Sequence, residues 1–185
     1  VASYVDINSV LDLYAQKRAS NLYLPDQILH MLPPKISDVC SLGIGEISNA
    51  VSVGFLMNDS EISDIKIYLS QIKVTKMSYE EADKSLHENI SLSMLNEIAK
   101  DHKKYRDSNG AIRLDLPKTD IKVKDQKVLV LPQIHSESRE MVSEIMVLAG
   151  RVIAQYSIEN NISMPYLSQA SGKFSEEIIE NINNL

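Results

Sequence analysis

The sequence predicts an α+β fold, a mixed antiparallel sheet with packed helices. Three observations carry that expectation. Short runs alternate apolar and polar residues between turn residues, as strands do. Other stretches repeat apolar residues at helical spacing behind capping residues. The composition is that of a globular chain: 185 residues, 44% apolar and 24% charged.

The elements follow in chain order. Ser9 stands three residues before Asp12, a capping-box spacing, and predicts a helix over Val10–Ala19. Tyr23-Leu24-Pro25-Asp26 starts an extended segment. Met31-Leu32-Pro33-Pro34 is read as non-helical, because each proline restricts itself and its predecessor. The serines and glycines of Ile36–Ser48 predict an irregular loop. Ala50–Met57 reads as a strand with Val51, Val53, Phe55 and Met57 on one face. Asn58-Asp59-Ser60 is turn chemistry, and Ile65, Ile67 and Leu69 alternate after it. Ile72 and Val74 continue with an offset, so a hairpin is expected, with a bulge as one reading of the offset.

Ser78 and Glu81 form a second capping box and open a helix at Tyr79. Ser91 is the expected cap of a third helix, whose Leu92, Leu95, Ile98, Ala99 and His102 share a face. Cations gather in its last turns, and Asp107-Ser108-Asn109-Gly110 stops it. Ile112, Leu114 and Leu116 predict a short strand, and 118–132 a hairpin turning at Asp125-Gln126. The longest helix is expected from Glu137 to Asn160, with Met141, Ile145, Leu148, Val152 and Tyr156 buried. Asn160-Asn161 and Pro165 end it.

Composition also bounds function. Nineteen basic against 25 acidic residues give a formal charge of −6. That disfavours nonspecific coating of nucleic acid or anionic membrane, though it allows a local basic groove. No apolar run approaches the length of a membrane span. A single cysteine, Cys40, rules out an internal disulfide and a Cys-rich zinc site. His30, His87, His102 and His135 lack metal-ligand spacing. Gly43-Ile44-Gly45 is a weak echo of a phosphate loop. Lys100–Arg106 is a basic cluster around Tyr105, most simply a solvated helix end.

A series of local strings goes further. Val1-Ala2-Ser3-Tyr4-Val5 is followed by Ser9-Val10-Leu11-Asp12, Ala15 and Arg18. Then come Tyr23-Leu24-Pro25-Asp26, Met31-Leu32-Pro33, Lys35, Ser37 and Cys40-Ser41-Leu42. Met77-Ser78-Tyr79-Glu80-Glu81, Gly110-Ala111-Ile112, Asp115-Leu116-Pro117, Glu144 with Met146, Leu148 and Ala149, and Pro165-Tyr166 complete the order. Together these resemble the RNB domain of the ribonuclease II and ribonuclease R family. The resemblance covers 1–169 as part of an RNB exoribonuclease domain and leaves 170–185 as a tail of uncertain assignment.

The family consists of processive exonucleases that degrade single-stranded RNA from its 3′ end to nucleoside monophosphates. The resemblance therefore implies part of an RNB catalytic domain, with magnesium as cofactor, single-stranded RNA as partner and flanking oligonucleotide-binding domains. No membrane partner is implied; the cytoplasm, or a plastid, is the expected compartment. The family aspartates that hold the metal lie upstream of the string matched by Val1–Val5. The family's arginine-rich string lies near the other end of its domain. Neither is in this sequence, so a portion of a larger protein is expected, without metal ligands or nuclease activity of its own.

Three residues carry roles over individually. Tyr23 matches the tyrosine near the buried 3′ end, where a ring can stack on any base; its bland reading is a core aromatic beside Pro25. Tyr79 matches a catalytic-site tyrosine beside the metal, at a helix start whose dipole suits phosphate; its bland reading is an ordinary helix-start contact. Glu144 matches the glutamate at the terminal ribose, where a carboxylate accepts hydroxyl hydrogen bonds; its bland reading is a solvated helix carboxylate at the edge of the buried stripe. Ser143, Gly150, Leu167 and the loop Gly45–Asn49 depart from the family pattern. They keep open an alternative, a degenerate, non-catalytic RNB-like module that binds RNA or protein.

Overall fold

The computed structural model describes residues 1–58, 60–112, 119–124, 127–132 and 135–167. After a 3-10 turn at Ala2–Tyr4, the order is α1 (Val10–Arg18), β1 (Leu22–Tyr23), β2 (Ile28–Leu29), α2 (Pro34–Cys40), β3 (Ser48–Asn58) and β4 (Glu61–Ile72). Then follow α3 (Tyr79–Ser85), α4 (Ile90–Ser108), β5 (Thr119–Lys124), β6 (Lys127–Pro132) and α5 (Glu137–Glu159). The α+β expectation holds. Among the described residues the strands form three two-stranded sheets, β1–β2, β3–β4 and β5–β6. Leu22 pairs with Leu29, and Thr119 with Pro132, in antiparallel register.

Two units divide the chain: Val1–Gly54 with Lys66–Ser85 and Asp115–Glu137, and Phe55–Ile65 with Leu86–Leu114 and Ser138–Leu185. In the first, Ser9 caps α1 by accepting from the Asp12 N–H at 3.2 Å, as expected. Asp12 returns its carboxylate to the N–H of Asn8. Gly43 takes a left-handed φ of +71°, and a Cβ there would lie 2.9 Å from Lys76 Cε and 3.2 Å from Val74. Its N–H donates to Ser48 Oγ at 2.8 Å. The glycine is thus required by backbone conformation and close packing, and its donor is already used. It does not cradle phosphate.

The structure corrects four expectations here. Residues 34–40 are helical, not loop, because Pro34 takes the first helical position, where its missing N–H costs nothing. α4 is capped by Asn89, whose Oδ1 accepts from the Leu92 N–H at 3.2 Å, not by Ser91. On the β3–β4 hairpin Val51 and Leu69 face solvent, while Ser52 and Ser70 share a 2.6 Å hydrogen bond. Asp64 takes a left-handed φ of 50° within β4. The strict alternation read from sequence does not survive there: Ile62 and Ile65, which flank it three residues apart, are both at least half-buried. The strand expected at Ile112–Leu116 and the turn at Asp125-Gln126 fall largely outside the described residues.

The second unit holds the core. All six buried hydrophobic residues among those described, Ile62, Leu86, Ala99, Met141, Leu148 and Val152, belong to it. Leu86, Ala99 and Met141 cluster, with Leu92, Leu95 and Ile145 packed against them. Both long helices end in the same device. Gly110 at +82° donates to Asp107 O while Ala111 donates to Arg106 O. Asn161 at +53° donates to Ile158 O while Ile162 donates to Ser157 O. These are Schellman motifs, and they explain why glycine and asparagine stand at those positions.

α5 is long and apolar enough, by length and composition alone, to cross a membrane. That departs from the sequence reading. Its charged residues place it in a folded core instead. Glu144 is buried and ion-paired to α4, and Arg151 Nη2 donates to Ser60 O at 2.9 Å.

Candidate nucleic-acid interface

Tyr23 ends β1, opposite Ile28. The hairpin loop is closed by the Leu24 N–H donating to Gln27 O at 2.9 Å. This short ladder leaves the Tyr23 ring on the surface, 71% exposed. In this chain the ring is not buried beside Pro25.

Tyr79 opens α3 and is 42% exposed. The capping box expected beside it is complete. Ser78 Oγ accepts from the Glu81 N–H at 3.2 Å, and the Glu81 carboxylate accepts from the Ser78 N–H at 2.7 Å. The Ser78 N–H, and after it the Ser78 hydroxyl, hold the Glu81 carboxyl below its usual range. The consequence corrects the dipole reading. A carboxylate already occupies the start of this seven-residue helix, so an approaching phosphate meets negative charge there.

Glu144 lies in the second unit, on the face of α5 turned to α4. It is 6% exposed, not solvated. Its Oε1 lies 2.8 Å from His102 Nδ1. Arg106 Nη1 reaches both oxygens, at 3.1 and 2.9 Å. Sequence spacing placed Glu144 only at the edge of the apolar stripe. What it could not give was the cross-helix partners, 42 and 38 residues away.

His102 is fully buried. Burial pushes its imidazole below the ordinary value, against the pull of the Glu144 hydrogen bond, and the charges of Arg151 and Arg106 add to the lowering. A neutral ring facing an acceptor-only carboxylate must carry its hydrogen on Nδ1. Nε2 is then a buried acceptor, and among the described residues it has no partner; neither has Arg151 Nη1. The Arg151 guanidinium lies over the Tyr105 ring, 4.3 Å from its centroid, and His102 stacks beside the same ring at 6.3 Å. Tyr105, Arg106 and Arg151 were read as a helix end or not singled out. The Lys100–Arg106 cluster is the sequence signal for Tyr105 and Arg106; Arg151, on α5, lies outside it.

Among the described residues no group of three or more His, Cys, Asp or Glu is placed to hold a metal ion. Glu144, the most buried carboxylate, is committed to His102 and Arg106. The residues described do not fit a magnesium centre.

A family model of the RNB domain matches residues 1–185. The chain belongs to the RNB-domain family. Among curated relatives, this RNB chain is 36% identical over 170 residues to an uncharacterized ribonuclease of Synechocystis, covering 88% of the chain and 26% of the relative. It is 32% identical to the chloroplastic/mitochondrial ribonuclease II of Arabidopsis thaliana, covering 91% of the chain and 22% of that protein. The RNB chain thus spans about a quarter of the length of the curated relatives it matches. Among solved structures it is similar to Mycoplasma genitalium RNase R in complex with double-stranded RNA, with a TM-score of 0.79 and 25% identity over 89% of this chain and 32% of that one. The same enzyme with ribose-methylated single-stranded RNA superposes with a TM-score of 0.81 at 24% identity, covering 91% of this chain and 29% of that one, a likeness of fold.

Proposed function

We propose that this RNB chain forms part of the RNA channel of a processive 3′-to-5′ exoribonuclease that hydrolyses single-stranded RNA to nucleoside monophosphates. The observation that carries the reading is the RNB match over 1–185, joined to a fold shared with an RNase R solved with RNA. In this reading magnesium is the cofactor, and its carboxylate ligands lie in the part of the protein this chain does not span. Flanking oligonucleotide-binding domains add grip on the strand, and the protein works in the cytoplasm or a plastid.

Within the chain, the exposed Tyr23 ring stacks on nucleotides near the 3′ end. Tyr79 acts at the scissile phosphate through its hydroxyl, which can donate a hydrogen bond. Glu144 belongs to the RNA site through its partner Arg106. Its own oxygens accept from His102 and Arg106, so a ribose hydroxyl would have to displace a buried ion pair to reach them.

The test is a time course of the full-length protein on end-labelled single-stranded RNA with magnesium. Stepwise loss of monophosphates from the 3′ end supports the enzyme. Binding without shortening selects the degenerate binding module. Neither binding nor shortening rejects both.

A further inference from the structure

Resting on the RNA reading above, we propose that Arg106 contacts an RNA phosphate, with Glu144 and His102 as the residues that position it. A guanidinium carries five donors in a planar fork. Arg106 spends one nitrogen, Nη1, on Glu144. Its Nε and Nη2 make no hydrogen bond among the described residues, and a third of the side chain is open to solvent. One edge is therefore anchored in the protein and another is uncommitted.

The anchor is unusually stiff. Glu144 is held from a second side by His102 Nδ1 at 2.8 Å, and the His102 side chain is 1% exposed. The α4 end that carries Arg106 is fixed by its Schellman turn, in which Arg106 O accepts from the Ala111 N–H. A long cationic side chain normally loses rotamer freedom when it grips a ligand. Here that loss has already occurred in the folded chain. Stability alone is a poor account of the arrangement, since a buried ion pair is often no better than apolar packing of the same volume. Holding a guanidinium in one place is a better one.

Charge and neighbours name the ligand. Lys103 pairs with Glu140 and Lys104 with Asp101, so those cations are locally balanced. Arg106 pairs with Glu144, while Arg151 donates to Ser60 O and lies over the Tyr105 ring, and His102 is neutral. The Arg106 fork stands at the end of α4, next in sequence to a Tyr105 ring that is about one-third exposed. A planar fork with an uncommitted edge fits the two non-bridging oxygens of a phosphodiester, and arginine does this where lysine gives only a point charge. Phosphate contacts hold a strand in register without reading its sequence.

Wild-type protein decides the matter without any variant. The full-length protein is treated with phenylglyoxal, with and without a single-stranded oligoadenylate, and arginine modification is located by mass spectrometry. RNA should protect Arg106 severalfold. RNA binding with Arg106 modified equally in both samples overturns this proposal alone. No RNA binding overturns it together with the channel reading. In variants that fold, Arg106→Gln should weaken binding to all homopolymers alike and make the salt dependence shallower by about 0.7 in logarithmic slope. Arg106→Lys should keep the slope and lose affinity. An unchanged slope and affinity in Arg106→Gln would show a purely structural arginine.

Discussion

Arg106 Nη1 sits between the two oxygens of Glu144, 2.9 and 3.1 Å away, across 38 residues of sequence. With His102 it ties α4 to α5 by charge as well as by packing. The first expectation follows. Glu144→Gln should cost about 2–4 kcal/mol, because it leaves Arg106 without its counter-charge and removes acceptor strength from a buried site. Leu148→Ala, which empties part of the core, should cost a similar 2–5 kcal/mol. Urea unfolding of both variants checks the comparison. A Glu144→Gln midpoint equal to wild type would show that the pair contributes nothing net.

Stability should also fall on mild acidification through His102. Its pKa is lowered in the folded chain, so the unfolded chain takes up the proton first as pH falls. Stability rises with pH wherever the unfolded state binds more protons. The contribution is therefore complete above the unfolded value of about 6.5 and is lost as pH drops from there toward the folded one. The groups facing the ring are Glu144, Arg106, Arg151 and Tyr105. Urea midpoints measured from about pH 8 to 5 should decline more steeply for wild type than for His102→Gln. Parallel curves would assign the decline to other groups.

Much of this was legible in the sequence, and the misses share a cause. Caps and stops are local, so Ser9, Ser78, Gly110 and Asn161 marked their helix ends correctly. Asn89 and Pro34 were misjudged because both a cap and a helix-opening proline have close competitors one or two residues away. Apolar periodicity found the core of α4 and α5. It read Glu144 as a stripe-edge carboxylate, since its burial depends on partners 38 and 42 residues distant. On β3 the face read from Val53, Phe55 and Met57 is partly buried and only Val51 departs from it, whereas on β4 a left-handed Asp64 interrupts the alternation. Tyr23 and Tyr79 are singled out by family strings, not by physics. Nothing local distinguishes an exposed tyrosine held for RNA from any other.

The capping box at α3 gives a separate pH signature. Glu81 has a lowered pKa, caused first by the Ser78 N–H and then by its hydroxyl. Its support for the helix start is present above the ordinary carboxylate value and lost as pH falls through the folded one. Ser78→Ala removes the cap and should weaken the segment by about 1 kcal/mol. Amide exchange over residues 79–85 reads both effects. Faster exchange on Ser78→Ala at neutral pH, with a gap that narrows in acid as the bond from the Ser78 hydroxyl to the Glu81 carboxylate is lost but does not close because the Ser78 Oγ cap persists, is the expected pattern. Exchange that is insensitive to both changes would mean that the helix is held by tertiary contacts alone.

If the full-length protein is the proposed exoribonuclease, Tyr23 and Tyr79 should fail in different ways in it. Tyr23 is the more exposed ring, at the end of a two-residue strand, so Tyr23→Ala should leave folding intact. A stacked base is worth about 1–3 kcal/mol. Long RNA holds the channel at many points and tolerates that loss. A short remnant depends on its last nucleotides being gripped, so it should dissociate earlier and collect as a longer end product. Tyr79→Ala should instead slow digestion at every length, because a hydroxyl beside the scissile phosphate acts in each cycle. A gel time course on a labelled single strand separates the two. If Tyr23→Ala stops at the wild-type length, its ring does not clamp the 3′ end. If Tyr79→Ala changes only the end product, that tyrosine grips the strand and takes no part in the chemistry.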